Sequence, residues 1–178
     1  MEPISLSRRC LMMTATKSPL DLNAADVMSR DVLVIPRHMS LRAAAHLLAT
    51  ARVSGAPVTD EQGRCVGVLS RTDLIRWMDR GEGTATPVAE AAACVCSDWQ
   101  MLELEQVPED EVRQYMTTDL VTADPEARLG HLARCMIDAH IHRVVILDRQ
   151  QRPVGMVTGG DILAAVAQDD ARTKFGEQ

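Results

Sequence analysis

The sequence predicts an α+β fold in which two tandem β-α-β-β-α units pack sheet to sheet as an intramolecular pseudo-dimer. Three observations carry that prediction. The chain repeats itself at an offset of 88 residues; each copy holds one apolar stripe at the helical period; and each stripe precedes two short β-branched runs around a polar turn.

The repeat is the strongest of the three. Met28 aligns with Met116, Asp31 with Asp119, Leu41 with Leu129, Ala45 with Ala133 and Ala51 with Ala139. Farther along, Asp60, Gln62, Arg64, Val66, Gly67 and Asp73 meet Asp148, Gln150, Arg152, Val154, Gly155 and Asp161. These are 11 identities in the 46 positions from 28 to 73, where average composition gives roughly three. Duplication is the economical explanation.

The elements follow in the same order in each copy. Residues 32–35 and 120–123 read as short extended segments. A helix comes next, with Leu41, Ala44, Ala45, Leu48 and Ala49 on one face, matched by Leu129, Leu132, Ala133, Met136 and Ile137. Ser40 suits the first N-cap, and Asp124-Pro125 supplies a cap and a first-turn proline for the second. Residues 56–59 and 66–69 read as a hairpin around the polar turn 60–63, and 143–147 and 154–157 do the same around 148–151. A last helix begins near Asp73 or Asp161. A unit of this size buries too little apolar surface alone, so two copies are expected to share a core.

The boundaries that result are a flexible tail at 1–23, a first unit at 24–80, a connector at 81–111, a second unit at 112–168 and a tail at 169–178. In the connector, Gly81, Gly83 and Pro87 open a loop, 89–95 can form a short helix, and Trp99 calls for burial.

Composition removes several function classes. Apolar residues make up 46% but aromatics only 2%, so Val, Ile, Leu, Ala and Met must build the core, with the ten scattered Met residues as filler. A net charge of −6 excludes a general nucleic-acid binder. No apolar run is long enough for a transmembrane helix, so no membrane is expected. The five cysteines, at 10, 65, 94, 96 and 135, are odd in number and irregular, which argues for reduced thiols rather than zinc. Ser7-Arg8-Arg9 precedes an apolar stretch too short for an export signal and broken by Lys17 and Pro19, so the chain reads as cytoplasmic. With no Ser-His-Asp order, no Gly-rich phosphate loop carrying Lys and no His-rich metal set, the chain is expected to be no enzyme, to hold no metal and to require no cofactor.

Each copy closes with Gly-hydrophobic-hydrophobic-Ser/Thr-x-x-Asp: Gly67-Val68-Leu69-Ser70-Arg71-Thr72-Asp73 and Gly155-Met156-Val157-Thr158-Gly159-Gly160-Asp161. Together with Asp26-Val27-Met28-Ser29 and Gln114-Tyr115-Met116-Thr117, and with Ser54-Gly55-Ala56-Pro57-Val58 and Ile141-His142-Arg143-Val144-Val145 before the hairpins, this resembles the CBS domain pair, or Bateman module. The resemblance implies clefts between the repeats that take AMP, ADP, ATP or S-adenosylmethionine as a regulatory ligand. It implies that Asp73 and Asp161 hold the ribose hydroxyls and that Ser70 and Thr158 face the first phosphate. It also implies a homodimer and an unidentified protein partner that reads the bound state.

The residues accommodate such a site. An ionised carboxylate accepts hydrogen bonds only, which suits two ribose donors, and backbone N–H groups at a helix start favour a phosphate. His142, Arg143 and Arg71 can supply further phosphate contacts, and Gly160 permits close backbone approach. Ile35, Ala56, Pro57, Ala123, Val144 and Val145 are candidate walls for a flat purine, and Thr122 of the second copy and Gly55 of the first join the candidate ligand contacts. The second copy carries more donors, so its Asp161 site is expected to be the better equipped. His38, His46, His131 and His140 read as surface residues without a role. Two plainer readings stand beside these: Asp73 and Asp161 equally suit simple helix caps, and the fold equally suits a ligand-free dimerisation or docking module.

Overall fold

The computed structural model describes Ser18 and residues 21–79 and 107–175. The connector helix expected at 89–95, Trp99, Cys94, Cys96, most of the expected tail 1–23 and residues 176–178 lie outside the described residues, whereas 169–175, expected as tail, continue the last helix.

Each unit is built on a three-stranded sheet. In the first, β1 (Ile35–Pro36) runs parallel to β2 (Gly55–Thr59), which pairs antiparallel with β3 (Cys65–Ser70). In the second, β4 (Thr122–Ala123), β5 (Arg143–Leu147) and β6 (Pro153–Thr158) repeat that order. The lead-in strands are shorter than their apolar runs predict, because only two residues of each find a partner strand. Both hairpins close on the same device. Asp60 Oδ1 accepts the N–H groups of Gln62 and Arg64 at 3.0 and 2.8 Å, and Asp148 Oδ1 those of Gln150 and Arg152 at 2.9 and 2.8 Å.

The helices are α1 (Ala24–Val27), α2 (Leu41–Ala51), α3 (Arg71–Asp79), α4 (Leu129–Asp138) and α5 (Gly159–Phe175), with a 3-10 turn at Val112–Gln114. Ser40 caps α2 as expected, its Oγ accepting the Ala43 N–H at 3.2 Å. The second cap differs from expectation. Helix α4 starts at Leu129 with Arg128 as an N-cap that makes no side-chain bond. Asp124 instead closes a turn by accepting the Glu126 N–H at 2.8 Å. The carbonyls of Pro125 and Ala127, which an earlier helix start would need, accept the N–H groups of Ala25 and Ala24 at 2.9 and 2.8 Å.

Those two bonds reveal how the repeats are joined. Leu22, just before the first repeat, and Ala24, Val27 and Met28 at its start pack in the core of the second, with Leu132, Ile146 and Val157. Val107, before the second repeat, and Val112 at its start pack in the first, with Leu41, Leu48 and Leu74. The exchange is twofold-related. Ser29 pairs with Met156 on the edge of β6, and Thr117, which is 29 + 88, pairs with Val68, which is 156 − 88, on the edge of β3. Neither repeat has a complete core without the other's lead-in segment, so the pair is one cooperative body rather than two beads.

Candidate functional site

The Ser/Thr-x-x-Asp segments lie where β3 passes into α3 and β6 into α5. Asp73 Oδ2 accepts the Ser70 N–H at 2.8 Å and the Ser70 hydroxyl at 2.6 Å. Asp161 Oδ2 accepts the Thr158 N–H at 2.8 Å and its hydroxyl at 2.7 Å, while the Asp161 N–H returns a bond to Thr158 Oγ1 at 3.3 Å. Thr158 and Asp161 form a complete capping box, and Ser70 and Asp73 keep the half of it in which the aspartate accepts the N–H before the helix. One carboxylate oxygen of each remains to be accounted for. In Asp73 it is used: Oδ1 accepts the Thr117 hydroxyl at 2.9 Å and lies 3.6 Å from Arg76 Nη1, and the residue is buried. Asp161 is half-buried and its Oδ1 accepts no bond from the described residues.

Two clefts open along the seam, and each takes residues from both repeats. The first, of about 640 Å³, joins Thr158, Gly159 and Gly160 at the start of α5 to Asp31, Leu33, Arg52, Val53, Ser54 and Gly55 of the first repeat. Asp161 lies in the groove that continues it, sharing Ser29 and Asp31. The second, of about 440 Å³, joins Ser70, Asp73 and Arg76 to Asp119, Leu120, Val121, His140, Ile141 and Val145 of the second repeat. Both volumes suit a small organic ligand. Val32, Leu33 and Val53 line one cleft, and Leu120, Val121 and Ile141 line the other.

Several expected residues sit elsewhere. Ile35, Ala56 and Val144 are at most 1% exposed and belong to the two cores rather than to a wall. Strand alternation turns these side chains under the helices, whereas the unpaired chain just before β1 and β4 leaves its side chains at the seam. Pro57, Thr122 and Ala123 are also absent from both linings. Gly55, Ser70, Asp73, Val145, Thr158 and Gly160 do line the clefts.

His142 and Arg143 behave differently from expectation, since they line both clefts at once. Arg143 crosses the seam and donates to Ser54 Oγ. It does so through the space that a side chain at position 55 would fill, because a Cβ on Gly55 would sit 2.7 Å from Arg143 Nη1. Burial, and after it the guanidinium of Arg71, push Arg143 below the usual arginine range. Arg71 is half-buried and lines neither cleft.

Residues that sequence reasoning passed over include Ser29, Asp31, Arg52, Thr117, Asp119 and His140. The identity of Asp31 with Asp119 in the repeat was a signal for one pair. Arg52 and His140 gave none, since both sit after a helix in the left-handed region, at φ 54° and 52°.

Comparison with known proteins agrees with this architecture. An uncharacterized protein of Methanocaldococcus jannaschii is 24% identical over 166 residues, covering 83% of this chain and 95% of the relative. The chain spans between 21% and 61% of the length of further curated relatives. Among solved structures, CBSX2 in complex with AMP matches with a TM-score of 0.64 at 21% identity, covering 83% of this chain and 98% of that one. The CBS domain pair of protein MJ0100, in complex with 5-methylthioadenosine and S-adenosyl-L-methionine, matches with a TM-score of 0.62 at 21% identity, covering 80% and 98%. The CBS domain model matches residues 24–80 and 112–168, the two repeats that build the clefts, and the chain belongs to the CBS domain family.

Proposed function

We propose that this chain is a non-catalytic regulatory module that takes an adenosine-containing nucleotide in the clefts between its repeats and passes the bound state to a protein partner. The carrying observation is Asp161, a half-buried carboxylate that caps α5 with one oxygen and lines the groove that continues the 640 Å³ cleft. An acceptor-only group in that position suits a ribose diol, and the start of α5 beside it suits a phosphate. The AMP and S-adenosylmethionine complexes of proteins with the same fold support an adenosyl ligand. Ligand binding shifts the module only through unequal affinity for its conformations.

The test is thermal denaturation and calorimetry of the full chain with AMP, ADP, ATP, S-adenosylmethionine and NAD. A ligand present at a hundred times its Kd adds about 2.7 kcal/mol to stability, which raises Tm by roughly 5–10 °C in a chain of this size. Asp161→Ala removes the part of that rise that its own cleft contributes if the reading is right. A chain that responds to none of the five ligands would overturn it.

One observation favours a second reading, a dimerisation or docking module. Ile75 and Leu163 occupy equivalent positions of α3 and α5, and both are exposed. A homodimer that forms at micromolar concentration without any nucleotide supports that reading.

A further inference from the structure

Resting on the nucleotide reading, we infer that the two clefts compete for Arg143, so that an anionic nucleotide in one weakens the binding of an anionic nucleotide in the other. The charge balance carries the inference. The Asp161 cleft, with the groove that continues it, has Asp26, Asp31 and Asp161 against Arg30 and Arg52, and the Asp73 cleft has Asp73 and Asp119 against Arg76. In each, the acidic side chains equal or outnumber the basic ones before Arg143 is counted. The attraction that either cleft holds for a phosphate therefore depends on a cation that both of them share.

The seam has room for only one such side chain. The twofold mate of Arg143 is Gly55, which is 143 − 88, and the guanidinium lies where the Gly55 Cβ would have to be. A second arginine at 55 would collide with the first. A nucleoside monophosphate carries close to two negative charges at neutral pH, more than the one guanidinium that the clefts share. The first monophosphate thus takes up the charge of Arg143, and a second meets a cleft whose own carboxylates equal or outnumber its cations.

Calorimetry of the full chain with AMP and with uncharged adenosine tests this. Disabling the Asp161 cleft by Asp161→Ala is expected to tighten AMP binding at the Asp73 cleft by roughly five- to tenfold relative to the second AMP event of the wild type. Adenosine is expected to show no such gain. In an Arg143→Gln background the gain disappears, and in Arg143→Lys, which keeps the charge and guards against a folding artefact, it persists. Unchanged or weaker AMP affinity in Asp161→Ala overturns the competition and leaves the nucleotide reading standing, as does a gain that survives Arg143→Gln or appears equally with adenosine. Absence of AMP binding to the wild type removes the competition, and absence of binding by any of the five ligands removes both.

Discussion

Thr117 donates its hydroxyl to Asp73 Oδ1 at 2.9 Å, joining the lead-in segment of the second repeat to the last helix of the first. Thr117 also pairs through its backbone with Val68 in both directions at 2.9 Å, so the contact fixes the seam from two sides. Thr117→Val keeps the shape and removes one hydrogen bond to a buried carboxylate. The expected loss is about 1–2 kcal/mol, seen as a Tm lower by roughly 2–8 °C.

Met28 lies across Gly155, and Met116 lies across Gly67, in twofold-related fashion. A Cβ on Gly155 would come within 2.8 Å of Met28 Cγ, and one on Gly67 within 2.9 Å of Met116 Cγ and 3.1 Å of the Thr117 carbonyl. Gly155→Ala is expected to cost about 1–3 kcal/mol by overpacking. Because the two residues touch, Gly155→Ala with Met28→Ala should cost less than the sum of the single changes. A denaturant-based double-mutant cycle checks it, and strict additivity would contradict the contact.

The exchange of lead-in segments makes a regional prediction. Leu22 is 2% exposed but packs in the core of the second repeat. Leu22→Ala should cost about 2–5 kcal/mol, and hydrogen exchange should show protection lost first in α4 and β5 rather than in α2. Loss confined to the first repeat would show the segment packing on its own unit.

His38 bridges Glu61 of the first hairpin and Glu111 of the returning chain, the latter at 3.3 Å from Nδ1. The hydrogen bond to Glu61, followed by that to Glu111, holds the His38 pKa above 6.5. Its own backbone N–H, followed by His38, holds Glu61 below 4.5. The signs are opposite. Stability from His38 is complete below pH 6.5 and fades as pH rises through its higher folded value; stability from Glu61 is complete above pH 4.5 and fades as pH falls through its lower one. The wild type minus His38→Gln stability difference should therefore be largest between these limits and vanish on the alkaline side. The groups are exposed, so the effect is small. Urea melts from pH 4 to 9 measure it.

Much of the fold was legible because it is written in local periodicity. The stripe from Leu41 to Leu48, the cap at Ser40 and the β-branched hairpin strands each depend on residues a few positions apart, and the repeat doubled every such signal. The same local logic located Ser70, Asp73, Thr158 and Asp161, whose capping geometry closes within four residues. It failed at Asp124, where bonds from Ala24 and Ala25, about a hundred residues away, occupy the carbonyls a longer helix would use. It failed again for Ile35, Ala56 and Val144, because an apolar strand residue reads the same whether it faces a core or a cleft.

The sequence by itself determined the pair of β-α-β-β-α units and the residues that begin their last helices, since those follow from hydrogen bonds and apolar spacing within one stretch of chain. Only the tertiary structure decided which repeat each lead-in segment completes, which groove each aspartate lines, and that Arg143 stands between both clefts. Those outcomes depend on which surfaces meet across the twofold seam. A duplicated chain offers nearly the same surface twice, so its pattern alone cannot distinguish a unit packing on itself from one packing on its copy.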